Sequence, residues 1–336
     1  MTPGTEPAAG SVDEFDWIER CLMPLAADAP EALGLLDDAA VIAARPGHDL
    51  VISKDALVEG VHFLPTDGLD GVARKLLRVN LSDLAAKGAQ PYGYFLAVAW
   101  PERFGWSDRA VFAQGLGDDQ RRFGLKLFGG DTVSTPGPLT ASLTILGWVP
   151  AGGMVRRSGA RVGDVVLVSG TIGDGALGLE AAQGGLAELS QADRTAMALR
   201  YHRPEPRLDL APPLRAMASA AADISDGLIA DAGRLAIASQ VRLELDLDRT
   251  PLSPSAERWL ALQPDPRAGL LRLASGGDDY EVICTAPAAT VDALIQAAAA
   301  LGLGLTRVGR VSAGEGVVVI HRGEGLVIDR AGYRHA

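Results

Sequence analysis

Val79-Asn80-Leu81-Ser82-Asp83-Leu84-Ala85-Ala86 carries two signals at once. Its apolar residues continue a helical spacing that begins at Val72 and Leu76, which predicts a helix over 69–87 ended by Gly88. Its Asp83 puts an acid beside side chains that have to pack. Five other places repeat this juxtaposition of a short apolar stretch and an acidic turn: Leu35-Leu36-Asp37-Asp38, Ser53-Lys54-Asp55, Gly129-Gly130-Asp131-Thr132, Asp223-Ile224-Ser225-Asp226-Gly227 and Ser275-Gly276-Gly277-Asp278-Asp279.

Taken singly, each such Asp reads as a helix cap or a turn residue. Taken as a set, they bring several carboxylates together if the fold gathers them, and carboxylates so gathered repel unless neutralised. Hard oxygen donors select Mg²⁺, Ca²⁺ or Mn²⁺, and Mg²⁺ takes one or two carboxylates and completes its shell with water and phosphate. Several acidic segments therefore suggest several ions shared with a polyphosphate. The net charge of −11 argues against a nucleic-acid binder but not against an anionic nucleotide held through metal bridges. No Walker motif and no kinase glycine-rich loop is present, so the two standard nucleotide cradles are missing. Gly129 and Gly130 would let backbone amides approach phosphate oxygens. Arg156 and Arg157 read either as a bidentate phosphate clamp or as a solvated pair. His62, between Val61 and Phe63, reads from the sequence alone as a half-buried side chain.

With 336 residues, 48% of them apolar, the chain suits two cores better than one. Helices are expected over 13–25, 69–87, 107–123, 228–239 and 290–301, with Thr290 as an N-cap. Strands are expected over 39–44, 49–53, 92–100, 125–128, 139–149, 164–169, 241–247, 280–285, 308–311 and 316–321, with helices filling the stretch to about 221. Strands and helices mix in both halves, which makes the class α/β or α+β, divided at 1–152 and 153–336. Cys21 and Cys284 are too far apart in sequence for a metal-ligand pattern. No signal peptide and no membrane span is expected, so the default location is the cytoplasm.

In order and spacing the motifs resemble the thiamine-monophosphate kinase family, within the aminoimidazole ribonucleotide synthetase-like superfamily. The likeness runs from about Phe15 to about Tyr333 and rests on the segments 79–86, 129–132, 157–160 (Arg-Ser-Gly-Ala), 226–228 and 275–281. It implies transfer of the ATP γ-phosphoryl group to the phosphate of thiamine monophosphate. It also implies an N-terminal sheet domain that pairs in a homodimer, a C-terminal α/β domain, and a cleft holding the nucleotide and several Mg²⁺. By motif position Asp38, Ser53, Asp55, Asp83, Asp131, Asp223 and Asp226 would surround the metals. Gly130, Asp131, Arg157 and Ser225 would contact ATP, and His62, Asp278 and Arg330 would face the thiamine end.

Four positions depart from the family pattern. Leu36 replaces a glycine, Lys54 replaces a threonine, Asp278 replaces a glutamate, and Arg330 stands where an aromatic is usual, with Tyr333 close by. Two rivals share the motifs: another ATP-dependent enzyme of the superfamily, and a non-catalytic homologue that binds Mg²⁺ and nucleotide, which Lys54 and Leu36 favour.

Overall fold

The computed structural model describes residues 13–328 and 331–333. They fall into two units. The first comprises residues up to 46 with 52–80 and 91–147; the second comprises 47–51, 81–90 and 148 onward. Each has its own sheet.

In the first unit α1 (Glu14–Trp17) is followed by a π-turn over Ile18–Leu22 and a 3₁₀ turn over Met23–Ala26. The helix expected over 13–25 therefore breaks up. Pro24 supplies no N–H and ends regular α-helical pairing. The strand expected over 39–44 is absent, and that stretch has no regular structure. The long helix α2 (Leu69–Ala86) is present, with Val72, Leu76, Val79 and Leu84 buried, and Gly88 follows it at φ +69°. α3 (Trp106–Phe123) closes on Gly124 in the left-handed conformation. A four-stranded sheet combines β1 (His48–Val58), β2 (Gln90–Pro101), β3 (Leu127–Thr135) and β4 (Thr140–Pro150) in the order β1-β4-β2-β3.

Three of the six acidic turns are therefore not turns, and the one with Asp83 lies inside α2. Ser53-Lys54-Asp55 lies inside β1, and Gly129-Gly130-Asp131-Thr132 lies inside β3, which runs parallel to β2 with Leu96 opposite Gly130 and Ala97 opposite Asp131. The glycine pair signals a turn locally, but the ladder with β2 overrides it.

The second unit is built on seven strands: β5 (Val165–Ser169), β6 (Ala220–Ile224), β7 (Arg242–Asp246), β8 (Glu281–Ala286), β9 (Leu305–Ser312), β10 (Gly316–His321) and β11 (Glu324–Leu326). Their order is β11-β10-β7-β9-β5-β8-β6, mostly antiparallel, with β7 and β10 parallel. Helices α4 (Asp174–Ala182), α5 (Gln191–His202), α6 (Ala211–Met217), α7 (Leu228–Ser239), α8 (Pro254–Ala261), α9 (Pro266–Ser275) and α10 (Val291–Ala300) surround it. The run Val166-Leu167-Val168 shows why β5 is apolar throughout. Val166 and Val168 pack with Leu228 and Leu235 of α7, while Leu167 packs with Leu214 of α6 and Leu294 of α10. The stretch expected to be helical as far as 221 gives way to β6, whose five residues are all buried. Thr290 does stand at the N-cap of α10, but its hydroxyl is directed to the carbonyls of Pro287 and Met217 rather than to the helix amides. Among the described residues no helix is long and apolar enough to cross a membrane.

Candidate active site

In the second unit, β6 delivers buried Asp223 to its carboxyl end, and the chain turns through Ser225, Asp226 and Gly227 into α7. Gly227 has φ +116°, and a Cβ there would sit 2.9 Å from the backbone of Ser275 and Gly276, so no side chain fits. The loop is held by a residue the sequence reading passed over. The buried carboxylate of Asp231 accepts the backbone N–H groups of Ser225 and Asp226, both at 3.0 Å. Arg234 pairs with Asp226 and, at 2.8 Å, with Asp231. Burial pushes the Asp231 carboxyl up to about 6, against the pull of the Asp226 amide and Arg234.

Lys87, at the end of α2, was also missed. Its ammonium donates to the Ala221 carbonyl at 2.7 Å, and its own carbonyl accepts the Val155 N–H at 3.1 Å. Burial drives its pKa down to about 8, Arg157 pushes the same way, and Asp223 and Asp83 push back. Asp83, Asp223 and Arg157 thus all act electrostatically on one ammonium. Arg157 is half-buried, and its Nε has no hydrogen-bond partner among the described residues. Ser239 fixes the segment by donating to the Arg157 carbonyl at 2.8 Å and accepting from the amides of Gly159 and Ala160. A half-buried guanidinium with an unsatisfied N–H is suited to an anionic oxygen ligand.

The segment 276–281 runs beside this loop. The amide of Asp278 donates to the Ser225 carbonyl at 2.9 Å and that of Tyr280 to the Ile224 carbonyl at 2.8 Å. Gly277 has no room for a side chain against the Ser225 carbonyl, 2.6 Å from where its Cβ would stand. Glu281, fully buried, accepts from Ser169 Oγ at 2.7 Å, from Arg200 at 2.8 Å and from Arg207 Nε at 2.6 Å.

In the first unit, Ser53 and Asp55 share one face of β1 by their spacing, and Lys54 points to the other and is exposed. The ammonium thus does not stand between the two oxygen donors. Asn80, fully buried, fixes this strand: its Oδ1 accepts the Asp55 N–H at 3.0 Å while its Nδ2 donates to Leu76 at 2.8 Å. Asp131 stands exposed on β3. The absence of a side chain at Gly130 has a packing reason, because a Cβ would drive into the Leu96 carbonyl of β2. Asp38 is exposed in the loop after the 3₁₀ segment Pro30–Leu35, and Leu36 has φ −106°, so its position makes no demand for glycine. His62 turns its Nδ1 back to accept the Val58 N–H at 3.1 Å, which places the proton of the neutral ring on Nε2. Arg330 lies outside the described residues. Tyr333, partly exposed, donates its backbone N–H to the Asp226 carbonyl at 3.0 Å.

Among the described residues no three His, Cys, Asp or Glu side chains form a ready-made metal cage. The donors that do occur are oxygens of Asp and Ser. That chemistry suits Mg²⁺, which asks for few protein ligands.

The two domains define the class. The N-terminal domain of the AIR synthase related proteins matches residues 36–149, and their C-terminal domain matches residues 161–322. A thiamine-monophosphate kinase of Caulobacter vibrioides is 53% identical over 329 residues, 98% of this chain and 92% of that protein. The chain belongs to the thiamine-monophosphate kinase family. A crystal structure of the kinase from Stenotrophomonas maltophilia K279a superposes with a TM-score of 0.81 at 38% identity, covering 93% of this chain and 98% of that one. A structure described as AaThiL complexed with AMPPCP and TMP superposes with a TM-score of 0.75 at 29% identity, covering 96% and 97%.

Proposed function

We propose that this chain transfers the γ-phosphoryl group of ATP to thiamine monophosphate, giving thiamine diphosphate and ADP, by direct in-line transfer with Mg²⁺. The observation that carries the reading is near full-length likeness to a kinase of that name at 53% identity. The complex of a relative with AMPPCP and TMP supports the same pair of ligands here. In this reading Asp38, Ser53, Asp55, Asp83, Asp131, Asp223 and Asp226 serve as metal ligands. Gly130, Asp131, Arg157 and Ser225 bind the nucleotide; His62, Asp278 and Arg330 bind the thiamine end. Bound Mg²⁺ supplies charge neutralisation on two mutually repelling phosphates. The acceptor is already an anion, so the protein needs no strong base and acts by alignment. Asp226, now paired with Arg234, would hold an ion in that partner's place, and Asp231 would keep Arg234.

The reading extends to a cytoplasmic homodimer paired through the N-terminal sheet, with the domains divided near residue 152. The decisive assay is ADP release with thiamine monophosphate, with thiamine as control acceptor, with and without Mg²⁺. ADP formation that ignores the acceptor, or that persists without any divalent cation, would sink the proposal.

A further inference from the structure

Asp279 is a deeply enclosed acid of the second unit that the proposed chemistry leaves unused. It is 1% exposed, and burial pushes its carboxyl well above the usual carboxylate range. Both oxygens face the N-terminal turn of α4. The Gly173 N–H is shared between them at 3.0 and 2.8 Å, and the Gly175 N–H reaches Oδ1 at 2.9 Å.

The residues on either side of it are strained. Asp278 has φ +68° and Tyr280 φ +51°, left-handed conformations that a non-glycine residue keeps only where the surroundings impose them. The Tyr280 hydroxyl lies 3.3 Å from Asp278 Oδ1. Their two amides are tied to Ser225 and Ile224. Gly175 comes so close to Asp278 that a Cβ on it would run into the Asp278 carbonyl group. Three loops, 173–175, 223–227 and 276–280, therefore meet backbone to backbone, and the Asp279 carboxyl is the side chain that ties the first to the third.

We infer that Asp279 is a positioning residue: by clamping the Gly173–Gly175 turn it holds Asp278 in its left-handed conformation and so sets where the Asp278 carboxylate meets the acceptor substrate. This rests on the reading of Asp278 as a ligand of the thiamine end, and it separates acceptor recognition from nucleotide recognition within one unit. Asp279→Asn keeps the volume and one acceptor oxygen but sets an NH₂ donor against the Gly173 N–H. Gly175→Ala disturbs the same contact from the opposite side without touching any carboxylate.

The test is the KM for thiamine monophosphate and for ATP in Asp279→Asn, Gly175→Ala, Asp278→Ala and the Asp278→Ala/Asp279→Asn double variant. Affinity for thiamine monophosphate is measured in parallel by calorimetry. The expected result is a rise of about tenfold or more in KM for thiamine monophosphate in both Asp279→Asn and Gly175→Ala, with KM for ATP within about twofold. In the Asp278→Ala background the Asp279→Asn change then adds little, because the group it positions is gone. Additive losses, or lowered melting temperatures with both KM values unchanged, would overturn the inference and leave Asp279 a structural cap. A wild-type protein that binds thiamine monophosphate but forms no ADP defeats the kinase reading alone, and the calorimetric comparison still judges Asp279. A wild-type protein that does not bind thiamine monophosphate overturns both.

Discussion

The carboxylate of Glu281, wholly shielded from solvent, accepts a hydrogen bond at 2.8 Å from Arg200, whose side chain is about a quarter exposed. Arg207 approaches the same carboxylate from a more buried position. Two guanidinium groups thus serve one buried anion at the start of β8, next to the segment that carries Asp278. Removing either partner leaves the other in place. Removing both strands a buried charge, which costs about 3–5 kcal/mol. Arg200→Met and Arg207→Met should each destabilise modestly, and the double variant should lose more than the sum of the two. Urea unfolding of the three variants measures this. Strict additivity would mean that the arginines act independently of Glu281.

Asp131 offers a cleaner separation of stability from chemistry. It is exposed on β3, where an amide fits as well as a carboxylate. Asp131→Asn should therefore shift stability by no more than about 0.5 kcal/mol. If charge neutralisation through metal is what this residue supports, turnover falls by roughly 10²-fold or more. Asp83→Asn should do the same. Near-normal rates for both at limiting Mg²⁺ would remove these acids from the metal set.

If Ser225 binds the nucleotide as proposed, Asp231 acts on that binding through the loop it holds. Asp231→Ala leaves the Ser225 and Asp226 amides without their acceptor. The KM for ATP should rise by about tenfold or more, and Asp231→Asn, which keeps one acceptor oxygen, should recover most of it. Steady-state kinetics at saturating thiamine monophosphate gives the answer. Equal KM values in wild type and Asp231→Ala would show that the loop needs no such anchor.

How far the sequence foretold this arrangement differs between elements. Helices α2 and α7 were legible because one face of each packs on its core, so burial is written at helical spacing: Val72, Leu76 and Val79 in one, Leu228, Ala232 and Leu235 in the other. The acidic segments themselves were legible as motifs but not as shapes. Gly129 and Gly130 look like turn residues, yet the parallel ladder to β2 and the closeness of the Leu96 carbonyl require a strand without a side chain there. The residues that hold the acids in place left no local trace. Asn80 fixes Asp55 across 25 residues, and Asp279 reaches Gly173 across 106. Such bonds follow from tertiary packing, and neither periodicity nor composition encodes them.

The group at Asp193 gives a test by pH that lies apart from the proposed chemistry. Its carboxylate accepts from Arg258 Nε at 3.1 Å, from Ser190 Oγ at 2.6 Å and from Ser255 Oγ at 2.7 Å, which stitches α5 to α8. Arg258 first, then the two hydroxyls, hold the carboxyl well below the usual carboxylate range. The folded protein therefore binds fewer protons at this site than the unfolded chain, whose Asp titrates near about 3.9. The stabilisation is fully present above that value and is lost as pH falls through and below it. Arg258→Met removes the main cause, so the gap in stability between wild type and variant should be constant from about pH 7 to 5 and should close steadily below about 4. Thermal unfolding of both proteins across that range checks it. A gap that stays the same down to about pH 2 would mean that Arg258 stabilises the helix pair by packing its aliphatic stem rather than by its charge.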